Sequence, residues 1–77
     1  MKKNSLLCDI PPGQTAVVDY LNSDESIRRR LLDMGIIEGT KLECLFKSPF
    51  GDPTAFFVRG TVIALRKDVS KKIFVSV

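Results

Sequence analysis

The stretch KLECLFKSPFGDPTAFFVRGTVIALR, residues 41–66, decides the fold. In its first seven residues Leu42, Cys44 and Phe46 fall on one face of an extended chain, and Lys41, Glu43, Leu45 and Lys47 on the other, because successive side chains of a strand point to opposite sides. Pro49-Phe50-Gly51-Asp52-Pro53 then brings two prolines and a glycine, which cannot sustain a hydrogen-bonded ladder, so it reads as a loop between strands. Thr54–Arg59 and Thr61–Arg66 are two further strands joined around Gly60. In the first of them Phe56 and Val58 share one face, which leaves Ala55, Phe57 and Arg59 on the other.

Downstream, Asp68–Lys71 suits a single helical turn, and Ile73, Val75 and Val77 alternate with Phe74 and Ser76 in a closing strand. Upstream, Thr15–Leu21 carries the β-branched and aromatic residues of a first strand. A helix follows, capped by Asn22 or Ser23, with Asp24 and Glu25 in its first turn, where the helix dipole favours negative charge. Ile27, Leu31 and Met34 recur at helical spacing, and Gly35 stands where a left-handed residue ends a helix. Ile36 and Ile37 should tuck back into the core before the Glu38-Gly39 turn. Before all of this, Met1–Ser5 reads as a frayed end, Leu6, Leu7 and Ile10 as apolar anchors, and Pro11-Pro12-Gly13 as a turn. The expectation is a mainly β single domain over residues 1–77, a small SH3-like, partly open barrel of about five strands with one α-helix inserted after the first strand.

Size and composition agree. A chain of 77 residues buries only about 60% of the surface its unfolded form exposes, so the core is thin and a deep pocket is not expected. Hydrophobic residues at 44% and charged residues at 27% fit a globular chain and exclude a disordered one. The apolar runs are a few residues long, against about 20 for a bilayer span. Lys2 and Lys3 are not followed by the apolar stretch of a secretory signal. The reading is therefore cytoplasmic without membrane insertion, any membrane contact coming through a partner. Cys8 and Cys44 are far apart and form no C-x-x-C pair; Cys44 reads as a small apolar core residue.

The motifs now resemble a family. Leu31-Leu32-Asp33-Met34-Gly35-Ile36-Ile37-Glu38-Gly39 looks like the L-x-x-M-G-[LI]-x-x-G turn of the FeoA family. Pro49–Pro53 resembles its P-x-G-D-P loop, Val58–Arg66 its V-x-G-x-x-[IL]-A-L-R strand pair, and Ile73-Phe74-Val75 its closing I-x-V. Together, in order, they cover nearly the whole chain, and they resemble more loosely the SH3-like domain of iron-dependent repressors. The resemblance implies a cytoplasmic accessory protein of ferrous iron uptake, recruited to the inner membrane by its partner, a FeoB-like transporter with a cytoplasmic GTP-binding domain.

The motif residues Met34, Gly35, Gly39, Gly51, Asp52, Pro53 and Gly60 read as structural, since turn chemistry explains them without a ligand. Histidine is absent, so neither a Ser-His-Asp triad nor a Cys-His pair can be built, and an enzyme is not expected. Two isolated cysteines cannot complete a closed zinc site, and no carboxylate cluster suits iron. No metal site is predicted, no cofactor, and no phosphate-binding loop.

Candidate partner-contacting residues come from what the barrel leaves over. Arg28-Arg29-Arg30 reads plainly as a solvated helix face, Asp24 and Glu25 lying four residues before Arg28 and Arg29, and more sharply as a docking face for an acidic surface. Leu45, Phe57, Val62 and Phe74 fall off the inward faces of their strands. Clustered, they would mark a binding surface; covered by residues 6–10 or the helix, they would not. Arg66 is counted with them as a candidate contact residue. The first reading is thus an adaptor that binds and modulates a transporter, and homo-oligomerisation through the same face is compatible with it. The alternative is an SH3-like nucleic-acid-binding module, with Arg59, Arg66, Lys67, Lys71 and Lys72 along one side of a chain of net charge +3. Basic-aromatic interleaving is confined to Phe57-Arg59, so no nucleic acid is expected.

Overall fold

The computed structural model describes residues 4–21 and 24–77. Six strands form one antiparallel sheet: β1 (Asn4–Leu6), β2 (Thr15–Leu21), β3 (Lys41–Lys47), β4 (Thr54–Val58), β5 (Thr61–Leu65) and β6 (Ile73–Ser76), in the order β1-β6-β2-β3-β4-β5. Helix α1 (Glu25–Asp33) lies between β2 and β3, and the helical turn α2 (Lys67–Ser70) between β5 and β6. The sheet curls around a core but stays open, with β1 and β5 at its two edges. Between β1 and β2, Leu7–Asp9 makes a 3-10 turn that drops Leu7 fully into the core.

The core is the inner face of the sheet, as alternation requires. Leu42, Cys44, Phe56, Val58, Val18 and Val75 are all buried there, closed from one side by Leu31 of α1 and Ile36. Each such side chain removed from water contributes on the order of 1.5–3 kcal/mol, so a domain this small rests on a dozen or so residues.

Four expectations need correcting. Asn4 and Ser5 are not frayed: they pair with Ser76 and Val75 of β6 as β1, making the strands six rather than about five. Pairing occupies backbone groups of β6 that would otherwise lie at an open edge, and the buried Leu7 anchors it. The helix cap is Asp24, whose carboxylate accepts from the Ile27 N–H at 3.0 Å; Asn22 and Ser23 lie outside the described residues. Phe46 is not a core residue. Cys44 pairs with Phe56, yet Phe46 pairs with Ala55, so one extra residue, Leu45, sits in a bulge. A bulge reverses the facing of everything after it, and Phe46 emerges 59% exposed on the outer face. Ile36 is buried as expected, whereas Ile37 stays at the surface.

The helix ends as its sequence requires. Met34 is the C-cap, and Gly35 takes φ +84°, a conformation open to glycine at little cost. Space at Gly35 is short as well: a Cβ there would stand 3.2 Å from Arg59 Cδ. The chain then returns to the sheet through buried Thr40. Its hydroxyl accepts from the Ile37 N–H at 3.0 Å and donates to the Gly35 carbonyl at 3.3 Å, while the Gly39 N–H donates to Val18 O at 2.8 Å.

Candidate functional site

Register assembles the outer face of the sheet residue by residue. Thr15 stands opposite Glu43, Glu43 opposite Phe57, and Phe57 opposite Val62, a row crossing β2, β3, β4 and β5. In the next row Phe46 stands opposite Ala55, and Ala55 opposite Ala64. Residues paired in this way share a face, with neighbouring side chains. The result is one apolar patch of Phe46, Ala55, Phe57, Val62 and Ala64, in which Ala55 is 7% exposed, Phe57 42% and Val62 58%. Beyond it, Phe50 of the 49–53 loop is 94% exposed. A shallow groove of about 310 Å³ runs beside Phe57, edged by Glu43 and Arg59. The fold does not need this patch, since the inner face already supplies the core; contiguous exposed apolar patches with a polar rim are, as a class, enriched at interaction surfaces.

Of the residues singled out from the sequence, the structure brings Phe57 and Val62 into direct register. It separates Phe74 on β6 from Phe57 by two strands and from Val62 by three. Phe74 is outward as expected, but it stacks on Tyr20 at 4.4 Å, with the rings within 6° of parallel. Leu45 is half-buried at the bulge and has no residue directly opposite. Arg28, Arg29 and Arg30 are exposed along α1. Arg30 and Arg66 come together, both lining a groove of about 130 Å³ between α1 and β5.

The motif glycines all have positive φ, from +83° at Gly51 and Gly60 to +89° at Gly39. The Asp52–Pro53 peptide is cis. Asp52 does bond a backbone N–H, but outside its own loop: its Oδ1 accepts from Lys67 at 2.8 Å, at the start of α2. Sequence reasoning missed Phe46, hidden by the bulge. It also missed Thr40, whose role follows only from the path of the returning loop. Ala64 could have been found, since it alternates with the inward Ile63 and Leu65.

Burial pushes the Cys44 thiol above its ordinary value, and burial together with the neighbouring Asp9 charge does the same for Cys8. Both are free thiols. Among the described residues no three His, Cys, Asp or Glu side chains stand together as metal ligands would, and no helix is long and apolar enough to cross a membrane.

No curated protein matches this chain. Among solved structures, the FeoA-like protein of Clostridium acetobutylicum is 35% identical, with 97% of this chain and 87% of that one covered at a TM-score of 0.87. FeoA of Stenotrophomonas maltophilia, solved with zinc and described as a procaryotic SH3 domain protein, is 29% identical over 92% of this chain and 88% of that one, at 0.80. A manganese-dependent transcriptional repressor shares the fold alone, at 20% identity and a TM-score of 0.88, matching all of this chain and 38% of the repressor. The family model of the FeoA domain matches residues 6–77. The chain therefore belongs to the FeoA family, small SH3-like accessory proteins of ferrous iron transport.

Proposed function

We propose that this protein is a non-enzymatic adaptor of ferrous iron uptake that binds the cytoplasmic part of a FeoB-type GTP-binding transporter and modulates its activity or assembly. The observation that carries the reading is the apolar patch around Phe57 and Val62, left outside a sheet whose inner face is already filled. Exposing aromatic and branched side chains in one place wastes burial unless a partner covers them. Membership of a family tied to ferrous iron transport supports a FeoB-type transporter as that partner, and the Stenotrophomonas relative is described as a candidate ferrous iron transport activating factor. Iron is the cargo of the system in this reading, and the adaptor acts by contact rather than by carrying metal.

The test is co-purification. Tagged protein expressed from its own promoter should bring down the FeoB-type transporter in mild detergent. Recovery of the adaptor alone, with the transporter present and folded in the same extract, would remove the proposal.

A further inference from the structure

Strand β5 is one of the two edge strands of the sheet and pairs with β4 alone. Its residues, Thr61–Leu65, include no charge and no proline, and its pairing with β4 runs without a bulge. Sheets normally blunt a bare edge with one of these devices, because unpaired backbone groups are a template for another strand. Four of the five residues of β5 are partly or fully exposed.

The turn leading into β5 fixes which backbone groups are free. Arg59 and Gly60 both have positive φ, 52° and 83°, as a two-residue hairpin turn requires. The pair flanking such a turn, Val58 and Thr61, is hydrogen-bonded, and bonded and non-bonded pairs alternate from there. Thr61, Ile63 and Leu65 therefore direct their N–H and C=O groups to β4, while Val62 and Ala64 direct theirs to the open side. Across that side, Ile27, Arg30 and Met34 face Ala64 and Arg66 over the groove of about 130 Å³. That volume is small for a metabolite but fits side chains of an added strand.

Charge selects the occupant. Arg59 lies at one end of β5, Arg66 at the other, and Arg30 across the groove, where Asp68 is the acidic residue of the lining. A second copy of β5 paired antiparallel about Ile63 would set Arg59 against Lys67 and next to Arg66, and like charges in opposition are unfavourable. We infer that β5 is a strand-addition site for an extended segment of the protein partner, apolar at its centre and acidic towards its ends. The segment pairs with the backbone of Val62 and Ala64 and lies between β5 and α1, as peptides do when they extend a sheet edge. This rests on the partner-binding reading above and specifies its geometry.

Amide hydrogen exchange on the 77-residue chain, alone and with the purified cytoplasmic part of the transporter, tests it. Exchange at Val62 and Ala64 should slow by about tenfold or more in the complex. Ala64→Pro removes an outward donor without touching the β4 ladder and should weaken binding roughly five- to tenfold, the worth of one hydrogen bond. Arg66→Glu should bind more weakly, with a smaller salt dependence. Unchanged exchange at Val62 and Ala64 in a complex that forms overturns strand addition and leaves partner binding standing. Protection that grows with the concentration of the chain alone assigns the edge to a second copy and overturns it too. Failure of any complex to form removes the partner-binding reading, and strand addition with it.

Discussion

The Asp52 carboxylate accepts a hydrogen bond from the backbone N–H of Lys67 at 2.8 Å, fifteen residues further along the chain. Arg66, the N-cap position just before α2, offers no side-chain cap of its own, so Asp52 supplies the missing acceptor from the 49–53 loop. The loop and the helical turn are thereby tied together just before β6. Asp52→Ala should cost about 0.5–2 kcal/mol, the usual worth of a helix cap. In a domain of this size that lowers the melting temperature by roughly 4–8 °C per kcal/mol. Asp52→Asn retains an acceptor oxygen and should recover most of the loss. Equal melting temperatures for the parent and Asp52→Ala would count against the tie.

Asp24 begins α1 with a carboxylate that accepts from the Ile27 N–H and from the Ser26 hydroxyl at 2.9 Å. Bonds to the charged form favour it, and they hold the Asp24 carboxyl below its ordinary value of 3.8. A depressed carboxylate contributes stability that is complete above its unfolded value and is lost as the pH falls through the lower folded one. Asp24→Asn keeps an acceptor at the cap without the charge. Its stability should lie below that of the parent at neutral pH and converge on it as the pH drops past 3.8. Denaturant unfolding across that range measures the gap; a gap that ignores pH would contradict the assignment.

Periodicity made most of the fold legible. Leu42 and Cys44, Phe56 and Val58, and Ile73 and Val75 occupy the core face their alternation assigns, and Gly35 ends α1 where its conformational freedom is needed. What escaped depends on where distant parts of the chain meet. Leu45 enters a bulge with no glycine or proline to announce it, so Phe46 changes sides silently. Asp52 is recognisable as a backbone-bonding residue, but its partner is set by the return of the chain at Lys67. The patch was half legible: Phe57 and Val62 could be seen to face outward. Strand order was needed to show that they adjoin each other and that Phe74 does not join them.

The two cysteines should differ in chemistry. The thiolate is the reactive form, and burial raises both thiols. Cys8 retains partial exposure while Cys44 has none. Cys8 should alkylate slowly at neutral pH and faster as the pH rises, whereas Cys44 should be modified only as fast as the protein unfolds. Mass spectrometry of the labelled chain, with and without denaturant, separates the two; native-state labelling of Cys44 at the pace of Cys8 would show that the core face is open there.

Two aromatic residues on opposite halves of the outer face allow the docking surface to be located by contrast. Phe57 and Val62 stand side by side in the patch and are exposed, so Phe57→Ser and Val62→Thr should leave the fold nearly intact, within about 1 kcal/mol for surface changes. If they anchor the transporter, each should weaken its binding by about 1–3 kcal/mol, ten- to hundredfold. Because the pair is in contact, the double variant should lose less than the sum. Phe74→Ser should behave in the opposite way. It removes the stack on Tyr20, worth roughly 0.5–1.5 kcal/mol beyond burial, and so should lower stability while leaving affinity largely unchanged. Calorimetric binding and thermal unfolding on the same four variants distinguish the cases. Affinity lost at Phe74 but kept at Phe57 would move the contact to β2 and β6 and withdraw it from β4 and β5.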